Sequence, residues 1–373
     1  MSGVRHLYVH LPFCAHRCGY CDFVTLVGRG DRHGAYVDAL LRELELEAGV
    51  LADPLETVFL GGGTPTFTEP RALERLLAAL PSANEVTIEA NPETVTSDLA
   101  VVLSRNRVDR VSLGAQSFNT ALLDVLERRC GPDDVRRAVQ RLRDGGLDNV
   151  SLDLLYGIPG QSAADLERDI DAALALAPDH ISYYELEAKA GTRFTHTHGA
   201  ELDRQEEAME GYFERVVERL TAAGYRWYET ANFCRPGREA RHNLGYWLGR
   251  DYLGIGIGAV STVGFRRWRN RPSLGRYLGA LTAGEKPPRE LEVLDEATRA
   301  RERLILGLRL DAPLPLAEVR GAVDLEALAR LESLGLAERR GGAVRLTRRG
   351  RFLGGGVTAA LMEEPLQNAT IAT

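Results

Sequence analysis

Short runs of β-branched and aromatic residues alternate with longer amphipathic stretches up to about residue 190. This alternation predicts repeated βα units around a parallel sheet, because a period of two residues is typical of strands and a period of 3.6 of helices. Six strands are predicted, at residues 6–10, 57–60, 85–89, 110–113, 149–153 and 180–184. Helical patterns lie between them, for example at 35–47 and 163–175. The predicted fold is α/β, a partial (βα)6 barrel of the TIM-like kind.

The carboxyl ends of the predicted strands carry residues that are too polar or too rich in glycine to fill a core. They are a cysteine-containing loop after the first strand, the glycines at 61–63, the segment 89–91, Gln116 and Asp153. In a barrel these ends share one face, which is the face where such folds bind ligands. We therefore expect a single site there.

The remainder of the chain predicts two smaller units. Residues 191–285 read as an accessory α/β extension, with a helix at 205–223 and strands at 225–228 and 264–268. Two prolines at 287–288 indicate a linker, since consecutive prolines interrupt helices and central strands. Helical patterns at 297–308, 316–322 and 325–334, followed by a hairpin around residues 341–342, have the order of a winged helix. The predicted domains are 1–190, 191–285 and 286–373.

Composition narrows the class of protein. The chain of 373 residues is 44% hydrophobic and 27% charged, values typical of an ordinary globular protein, and no apolar run is as long as a bilayer-spanning helix. The first residues have no apolar segment of the secretory type, so we expect a cytoplasmic protein. A net charge of −7 opposes nonspecific binding of nucleic acid.

Three of the five cysteines lie within eight positions, at Cys14, Cys18 and Cys21. Clustered cysteines in a long chain of this class favour metal ligation over disulfides. Three thiolates suit three irons of a [4Fe-4S] cluster, which leaves a fourth iron open to the amino and carboxylate groups of S-adenosylmethionine (SAM). The alternative is a structural zinc whose fourth ligand is His10, His16 or Asp22.

Several motifs in order decide between these readings. They are YVHLPFC at 8–14, GYCDF at 19–23, GGGTPT at 61–66, EANP at 89–92, GAQSF at 114–118 and DLLYGIP at 153–159. With these motifs the chain resembles the radical SAM superfamily, in the branch shared by oxygen-independent coproporphyrinogen dehydrogenase and the heme chaperone HemW. The resemblance implies a radical SAM barrel with the cluster on the three cysteines. It also implies SAM-binding roles for Tyr8, Tyr20, Gly61, Gly62, Gly63, Thr64, Glu89, Gln116, Arg128 and Asp153.

Elementary chemistry agrees with these roles and leaves alternatives open. Glycines allow free backbone N–H groups to approach a carboxylate, although a triple glycine is also a common tight turn. Glu89 and Asp153 suit ribose hydroxyls or an ammonium group, and equally suit a helix cap or a buried ion pair. Gln116 could bind the ligand or could be a buried polar residue whose hydrogen bonds are all made within the protein.

Two features favour the heme chaperone branch over the dehydrogenase. Asp22 and Phe23 follow the third cysteine, where the dehydrogenase has a further cysteine two positions on. Residues 242–247, HNLGYW, match the HNxxYW motif of the chaperones. The resemblance implies that His242 is an axial heme ligand and that Tyr246 and Trp247 cover part of the macrocycle.

The chain departs from related sequences at Cys130 and Val260, where histidine is usual. Val260 cannot bind iron. Cys130 is either a soft ligand or a small buried residue, and the second role is the more common one for a free cysteine.

The expected function is that of a chaperone that binds heme as cargo and delivers it to acceptor proteins, among them membrane-bound respiratory ones. No catalytic residue is assigned. One alternative is a radical SAM enzyme acting on a porphyrin, either a coproporphyrinogen III dehydrogenase or a related methyltransferase. The other is a DNA-binding regulator that senses iron or heme, but its candidate recognition helix at 325–334 has one arginine and two glutamates, which suits DNA poorly.

The expected partners further include an electron donor such as a flavodoxin if SAM is cleaved and, as one option, a second copy of the chain in a homodimer. No nucleic acid is expected, given the net charge and the helix at 325–334. The expected location is the cytoplasm, including the inner membrane surface.

Overall fold

The computed structural model describes residues 3–187 and 193–362. Its centre is a nine-stranded sheet made of β1 His6–Leu11, β4 Leu55–Gly62, β5 Ala83–Ala90, β6 Arg110–Gln116, β7 Asn149–Tyr156, β8 His180–Glu185, β9 Arg226–Glu229, β10 Asn232–Cys234 and β11 Leu253–Ile255. Their order in the sheet is β11-β1-β4-β5-β6-β7-β8-β10-β9; the first seven strands are parallel, and β10 and β9 each pair antiparallel with the preceding strand. The predicted α/β fold with a partial (βα)6 barrel is confirmed.

Helices connect the parallel strands. They are α1 His33–Glu47, α2 Pro70–Ala79, α3 Ser97–Arg105, α4 Thr120–Val125, α5 Pro132–Asp144, α6 Ala163–Ala175 and α7 Arg193–Ala222. The helix α6 has the predicted bounds because Ser162 and Asp165 form a reciprocal cap at its first turn. The helix α7 begins before residue 205, the predicted start. The predicted domain boundary at 190–191 lies outside the described residues.

The accessory region contains the helices α8 Arg241–Trp247 and α9 Leu274–Thr282 and a sheet of β12 Val260–Val263, β13 Arg266–Asn270 and β14 Arg289–Val293. The strand β14 follows the two prolines and pairs antiparallel with β13. Residues after the predicted linker therefore return to the accessory sheet before the chain continues. Of the other predicted strands, 225–228 corresponds to β9 and 264–268 to β13, each shifted toward the C-terminus.

The C-terminal unit has the elements α10 Glu296–Gly307, β15 Leu314–Pro315, α11 Leu325–Ser333, β16 Ala337–Arg340, β17 Ala343–Leu346, α12 Arg348–Phe352 and α13 Gly354–Leu361. A small core of its own includes Leu304, Leu328 and Val344. The predicted helix at 316–322 is wrong: only a 3-10 turn forms at Leu316–Val319, because Arg320 is extended and Gly321 has a φ of 74°.

Two further strands lie in the cysteine loop, where β2 Phe13–Cys14 pairs with β3 Leu26–Val27. Within the described residues, none of the helices combines the length and the apolar character that a bilayer crossing requires.

Candidate functional site

The cysteine loop leaves the carboxyl end of β1 and is closed by the β2–β3 pairing. Cys14 is buried, whereas Cys18 and Cys21 are half-buried, and all three are free thiols. The Cys21 N–H donates to the Cys18 carbonyl at 3.2 Å, which folds the loop back on itself. Burial raises the pKa of Cys14 to about 11 and also raises that of Cys21. Without a cationic group the Cys14 and Cys21 thiols therefore stay protonated.

Two of the candidate fourth ligands of a zinc site, His10 and His16, already use ring nitrogens in hydrogen bonds. His10 is buried, and both its ring nitrogens are used: Nε2 donates to the Val24 carbonyl at 2.9 Å, and Nδ1 accepts from the Tyr8 hydroxyl at 3.0 Å. The His16 Nε2 bonds the Glu127 carbonyl at 2.9 Å. Among the described residues, no three Cys, His, Asp or Glu side chains are arranged as a metal-ion site.

A chain of side-chain contacts runs from Cys14 to Cys18. The Thr64 hydroxyl lies 3.5 Å from the Cys14 sulfur and accepts from the Asn91 amide at 3.0 Å. The Asn91 Oδ1 accepts from Arg128 Nη2 at 2.8 Å, and Arg128 Nη1 lies 3.7 Å from the Cys18 sulfur. Three residues that follow three different strands thus bring donors toward two of the three thiols.

The glycines at the end of β4 are required by close approach of their neighbours. A Cβ at Gly61 would lie 2.9 Å from Glu89 Oε2, one at Gly62 would lie 2.5 Å from the His10 ring, and one at Gly63 would lie 2.6 Å from the backbone of Pro12. Gly62 also has a φ of 114°, which disfavours other residues.

The backbone donors of this segment already have acceptors. The N–H groups of Gly62, Gly63 and Thr64 donate to Glu89, to the Leu11 carbonyl and to the Phe13 carbonyl at 3.0, 2.8 and 2.9 Å. These three amides are therefore not free donors, and a ligand carboxylate would have to compete with the present acceptors.

Two carboxyl groups lie at the same end of the barrel. Burial and the nearby Asp153 raise the pKa of Glu89 to about 7, and burial raises the pKa of Asp153 as well. The Ser112 hydroxyl bonds both Asp153 oxygens, at 3.1 and 2.9 Å. Around neutral pH the Glu89 carboxyl is thus partly protonated and can both donate and accept hydrogen bonds.

The remaining residues of the predicted SAM site lie around these groups. Gln116 has a φ of 65° at an irregularity in the β6–β7 pairing, and its amide, like Asn91 and Arg128, borders Gly114. Tyr20 packs edge-on to Phe194 at 6.3 Å, and burial raises the pKa of its hydroxyl above the ordinary value. Tyr8 stacks on Phe59 in the barrel interior at 6.1 Å.

The helix α8 closes the opposite end of the barrel. His242 is 1% exposed, and its Nδ1 bonds the Thr57 hydroxyl at 2.7 Å while its Nε2 bonds the Tyr246 hydroxyl at 2.9 Å. Thr57 also bonds His6 Nδ1 at 2.8 Å, and His6 Nε2 faces Glu56 at 3.4 Å. Burial lowers the pKa of His242 to about 3, so its imidazole is neutral.

These contacts fit one consistent order of donors. With the Thr57 hydroxyl donating to His6 Nδ1, His242 donates through Nδ1 to Thr57, and Tyr246 donates to His242 Nε2. The Nε2 lone pair, which a heme iron would need, is therefore covered by Tyr246.

Trp247 points away from this pair. The Arg309 guanidinium lies 4.5 Å from its ring centroid, and its carbonyl accepts from Arg303 at 3.3 Å. The structure thus brings His242 and Tyr246 together and places Trp247 against the C-terminal unit. Cys130 is 3% exposed and lies 3.7 Å from Arg128 Nη2, and Val260 is half-buried in β12.

Comparison with known proteins complements this geometry. The family model of the radical SAM superfamily matches residues 8–173, and that of the HemN C-terminal domain matches residues 294–353. The heme chaperone HemW of Mycobacterium tuberculosis is 37% identical over 369 residues, which cover 95% of this chain and 94% of that protein. The chain belongs to the heme chaperone HemW family. The HemW of Bacillus subtilis is 33% identical, over 97% of this chain and all of that protein, and agrees with this assignment.

A solved structure with the same fold is that of coproporphyrinogen III oxidase (HemN) from Escherichia coli. It has a TM-score of 0.81 and 22% identity, and the superposition covers 97% of this chain and 91% of that one. At this identity the likeness concerns the fold. The match to the HemN C-terminal domain begins at residue 294, immediately after β14.

Sequence reasoning assigned no role to two residues that the structure places at the centre of these networks, Asn91 and Thr57. Asn91 follows β5 directly, and its signals were its position at a strand end and its place in the motif at 89–92. Thr57 lies near the start of β4 in an apolar run, so the pattern gave no sign that its hydroxyl joins two histidines.

Proposed function

We propose that this chain is a heme chaperone that holds a [4Fe-4S] cluster on Cys14, Cys18 and Cys21, binds SAM at the same end of the barrel, and carries heme on His242 for delivery to acceptor proteins. The observation that carries the proposal is the separation of two sites along one barrel axis. The cysteine loop and the glycines lie at the carboxyl ends of the strands, and His242 lies at the amino ends.

The residues at the carboxyl ends suit the cluster and SAM. The loop offers three thiols, and Thr64 and Arg128 direct donors toward two of them. When bound, the cluster supplies an electron to SAM. The chain's own part is to hold donors beside the thiols and to set Glu89 and Asp153 opposite the ligand's polar groups.

The hydrogen bonds of His242 suit a heme ligand. An iron-binding histidine commonly donates its other ring N–H to a neighbouring oxygen, which orients the ring. Thr57 accepts this hydrogen bond from Nδ1 and leaves Nε2 for iron once Tyr246 moves aside. Heme binding at this site therefore requires α8 to open.

The distance between the two sites favours cargo over substrate. Thr57 and Gly62 are five positions apart on β4, which corresponds to about 17 Å at about 3.3 Å per residue. The stacked rings of Phe59 and Tyr8 lie between the two ends. A heme on His242 is therefore far from the position where SAM would react.

The proposal is tested by anaerobic reconstitution with iron and sulfide, followed by heme titration of the wild type and of His242→Ala. We expect stoichiometric heme binding with a histidine-ligand absorption spectrum, lost in the variant. His196→Ala is the matched control, because His196 is an exposed histidine outside the motif.

Product analysis with coproporphyrinogen III and SAM completes the test. A decarboxylated or methylated tetrapyrrole formed in step with SAM consumption would contradict the chaperone proposal. Transfer of heme to an apo acceptor, such as a respiratory membrane protein, would support it. The same protein preparations can be used to measure three further properties. These are reduction of the cluster by a flavodoxin, formation of a homodimer, and association with vesicles that mimic the inner membrane.

A further inference from the structure

We propose that Asn91 is a positioning residue for the cluster, because it holds Arg128 against Cys18 and Thr64 against Cys14 at the same time. The inference rests on the proposed function in one respect, that Cys14 and Cys18 bind the cluster. Asn91 itself contacts neither thiol and acts through its two neighbours.

The amide of Asn91 is used at both ends. Its Nδ2 donates to the Thr64 hydroxyl at 3.0 Å, and its Oδ1 accepts from Arg128 Nη2 at 2.8 Å. Because Thr64 accepts this hydrogen bond, its own proton is directed toward the Cys14 sulfur 3.5 Å away. A carboxylate or an alkyl group at position 91 would not reproduce this combination of one donor and one acceptor.

The guanidinium of Arg128 is fixed by more than one contact. Its Nη2 also donates to the Gly114 carbonyl at 2.8 Å and lies 3.7 Å from the Cys130 sulfur, while its Nη1 faces Cys18. Its Nε is buried and without an acceptor among the described residues. Asn91 is the side chain that joins this cation to Thr64, and through Thr64 to a second cysteine.

Such donors change the electronic properties of an iron–sulfur cluster. Hydrogen bonds to the sulfurs stabilise the reduced, more negative cluster and thereby raise its reduction potential. Removal of the Asn91 amide loosens both donors, so the midpoint potential becomes more negative. A role in packing alone would lower stability and leave the potential of an assembled cluster unchanged.

The test compares Asn91→Ala with the wild type after anaerobic reconstitution, without SAM or heme. The midpoint potential is measured by redox titration followed by electron paramagnetic resonance, and iron and sulfide contents are measured alongside. We expect a more negative potential and altered g values at equal cluster content. Asn119→Ala is the matched control, because Asn119 also follows a strand of the sheet but bonds Asp165, outside this network.

A double-mutant cycle with Arg128→Met tests whether Asn91 acts through Arg128. The shift caused by Asn91→Ala should shrink on the Arg128→Met background, since coupled residues give non-additive effects. Additive shifts would contradict the coupling. If Asn91→Ala fails to fold, Asn91→Ser keeps a small polar group there and is measured in its place.

The failure of this inference differs from the failure of the proposed function. An unchanged potential and an unchanged spectrum in a fully loaded Asn91→Ala protein overturn the positioning role while the cluster assignment stands. A wild type that takes up no cluster overturns both.

Discussion

Glu89 places a titrating group at the carboxyl end of the barrel. Its pKa is about 7 in the folded chain, against an ordinary value of 4.5, because of burial and the proximity of Asp153. The folded state therefore binds the proton more tightly than the unfolded state. The free energy of unfolding falls as the pH rises from about 4.5 to about 7 and is not affected further by this group above that range.

Glu89→Gln removes this dependence. We expect the cluster-free variant to be more stable than the wild type at pH 8, by on the order of 1–3 kcal/mol, and similar to it near pH 4.5. Urea unfolding of both proteins between pH 4.5 and 8 measures the difference. Glu74→Gln, a change at an exposed carboxylate, should give a curve parallel to the wild type. A parallel curve for Glu89→Gln would contradict the raised pKa.

Single residues also show which contacts the sequence motifs do not predict. The motif at 61–63 indicated glycine where backbone must come close, and the structure agrees, but the neighbours prove to be His10 and Pro12 and the amides are already bonded. His242 was expected to be a ligand; burial keeps it neutral, and one of its two hydrogen bonds joins it to Thr57, which is 185 positions away. Contacts over such separations leave no periodic signal.

At the scale of the element, the short helix α8 closes one end of the barrel and is held there by a few specific contacts. Glu85 on β5 accepts from the backbone N–H groups of Arg241 and His242 at 3.1 and 3.4 Å, and Phe59 stacks on the His242 ring at 5.2 Å. Tyr246 supplies the hydrogen bond that covers Nε2. The first contacts anchor the helix, and the last occupies the atom that would bind iron.

Tyr246→Phe should therefore ease heme binding without removing the ligand. Loss of one net hydrogen bond lowers the cost of uncovering Nε2 by about 1 kcal/mol, so we expect a roughly fivefold gain in heme affinity. Absorption titration with heme measures it. Tyr212→Phe is the matched control, because it removes one tyrosine hydrogen bond of 2.8 Å from α7. Unchanged or weaker binding in Tyr246→Phe would indicate that this hydroxyl does not limit access to His242.

The predictability of each element follows from its length and surroundings. The six parallel strands were found because each is a β-branched or aromatic run, and each extends beyond its predicted bounds at the carboxyl end. The strand β11 was missed: it has three residues, one of them Gly254, and exists because β1 offers a free edge beside it. Its pairing is set by the tertiary fold and not by local pattern.

At the scale of the whole molecule, the barrel interior is layered along its axis. His242 and Thr57 lie at the amino end, Phe59 and Tyr8 in the middle, and Gly61 with Glu89 at the carboxyl end. The order of elements along the chain predicted the barrel, and with it the face that holds the cysteine loop. It did not predict the closure of the other end by a helix from the accessory region.

The C-terminal unit is held to the barrel by contacts that cross from α12 to β9. The Arg351 guanidinium lies 3.6 Å from the centroid of the Trp227 ring and donates through Nη1 to the Trp227 carbonyl at 2.8 Å. Phe352 packs on the same indole at 5.3 Å and on Phe213 at 5.6 Å. Burial lowers the pKa of Arg351 to about 10, so the side chain is charged at neutral pH but poorly solvated.

Arg351→Ala should loosen this attachment while each core stays folded, because the residue belongs to neither interior. A desolvated cation–π contact and one hydrogen bond together are worth about 2–3 kcal/mol. Hydrogen exchange should then accelerate in β9 and α12 and stay unchanged in β4 and β5. Arg349→Ala is the control: Arg349 lies on the same helix but is exposed, and among the described residues its side chain bonds only the Leu334 carbonyl within its own unit. Equal exchange in the two variants would mean that the aromatic packing of Phe352, and not the guanidinium, holds the unit in place.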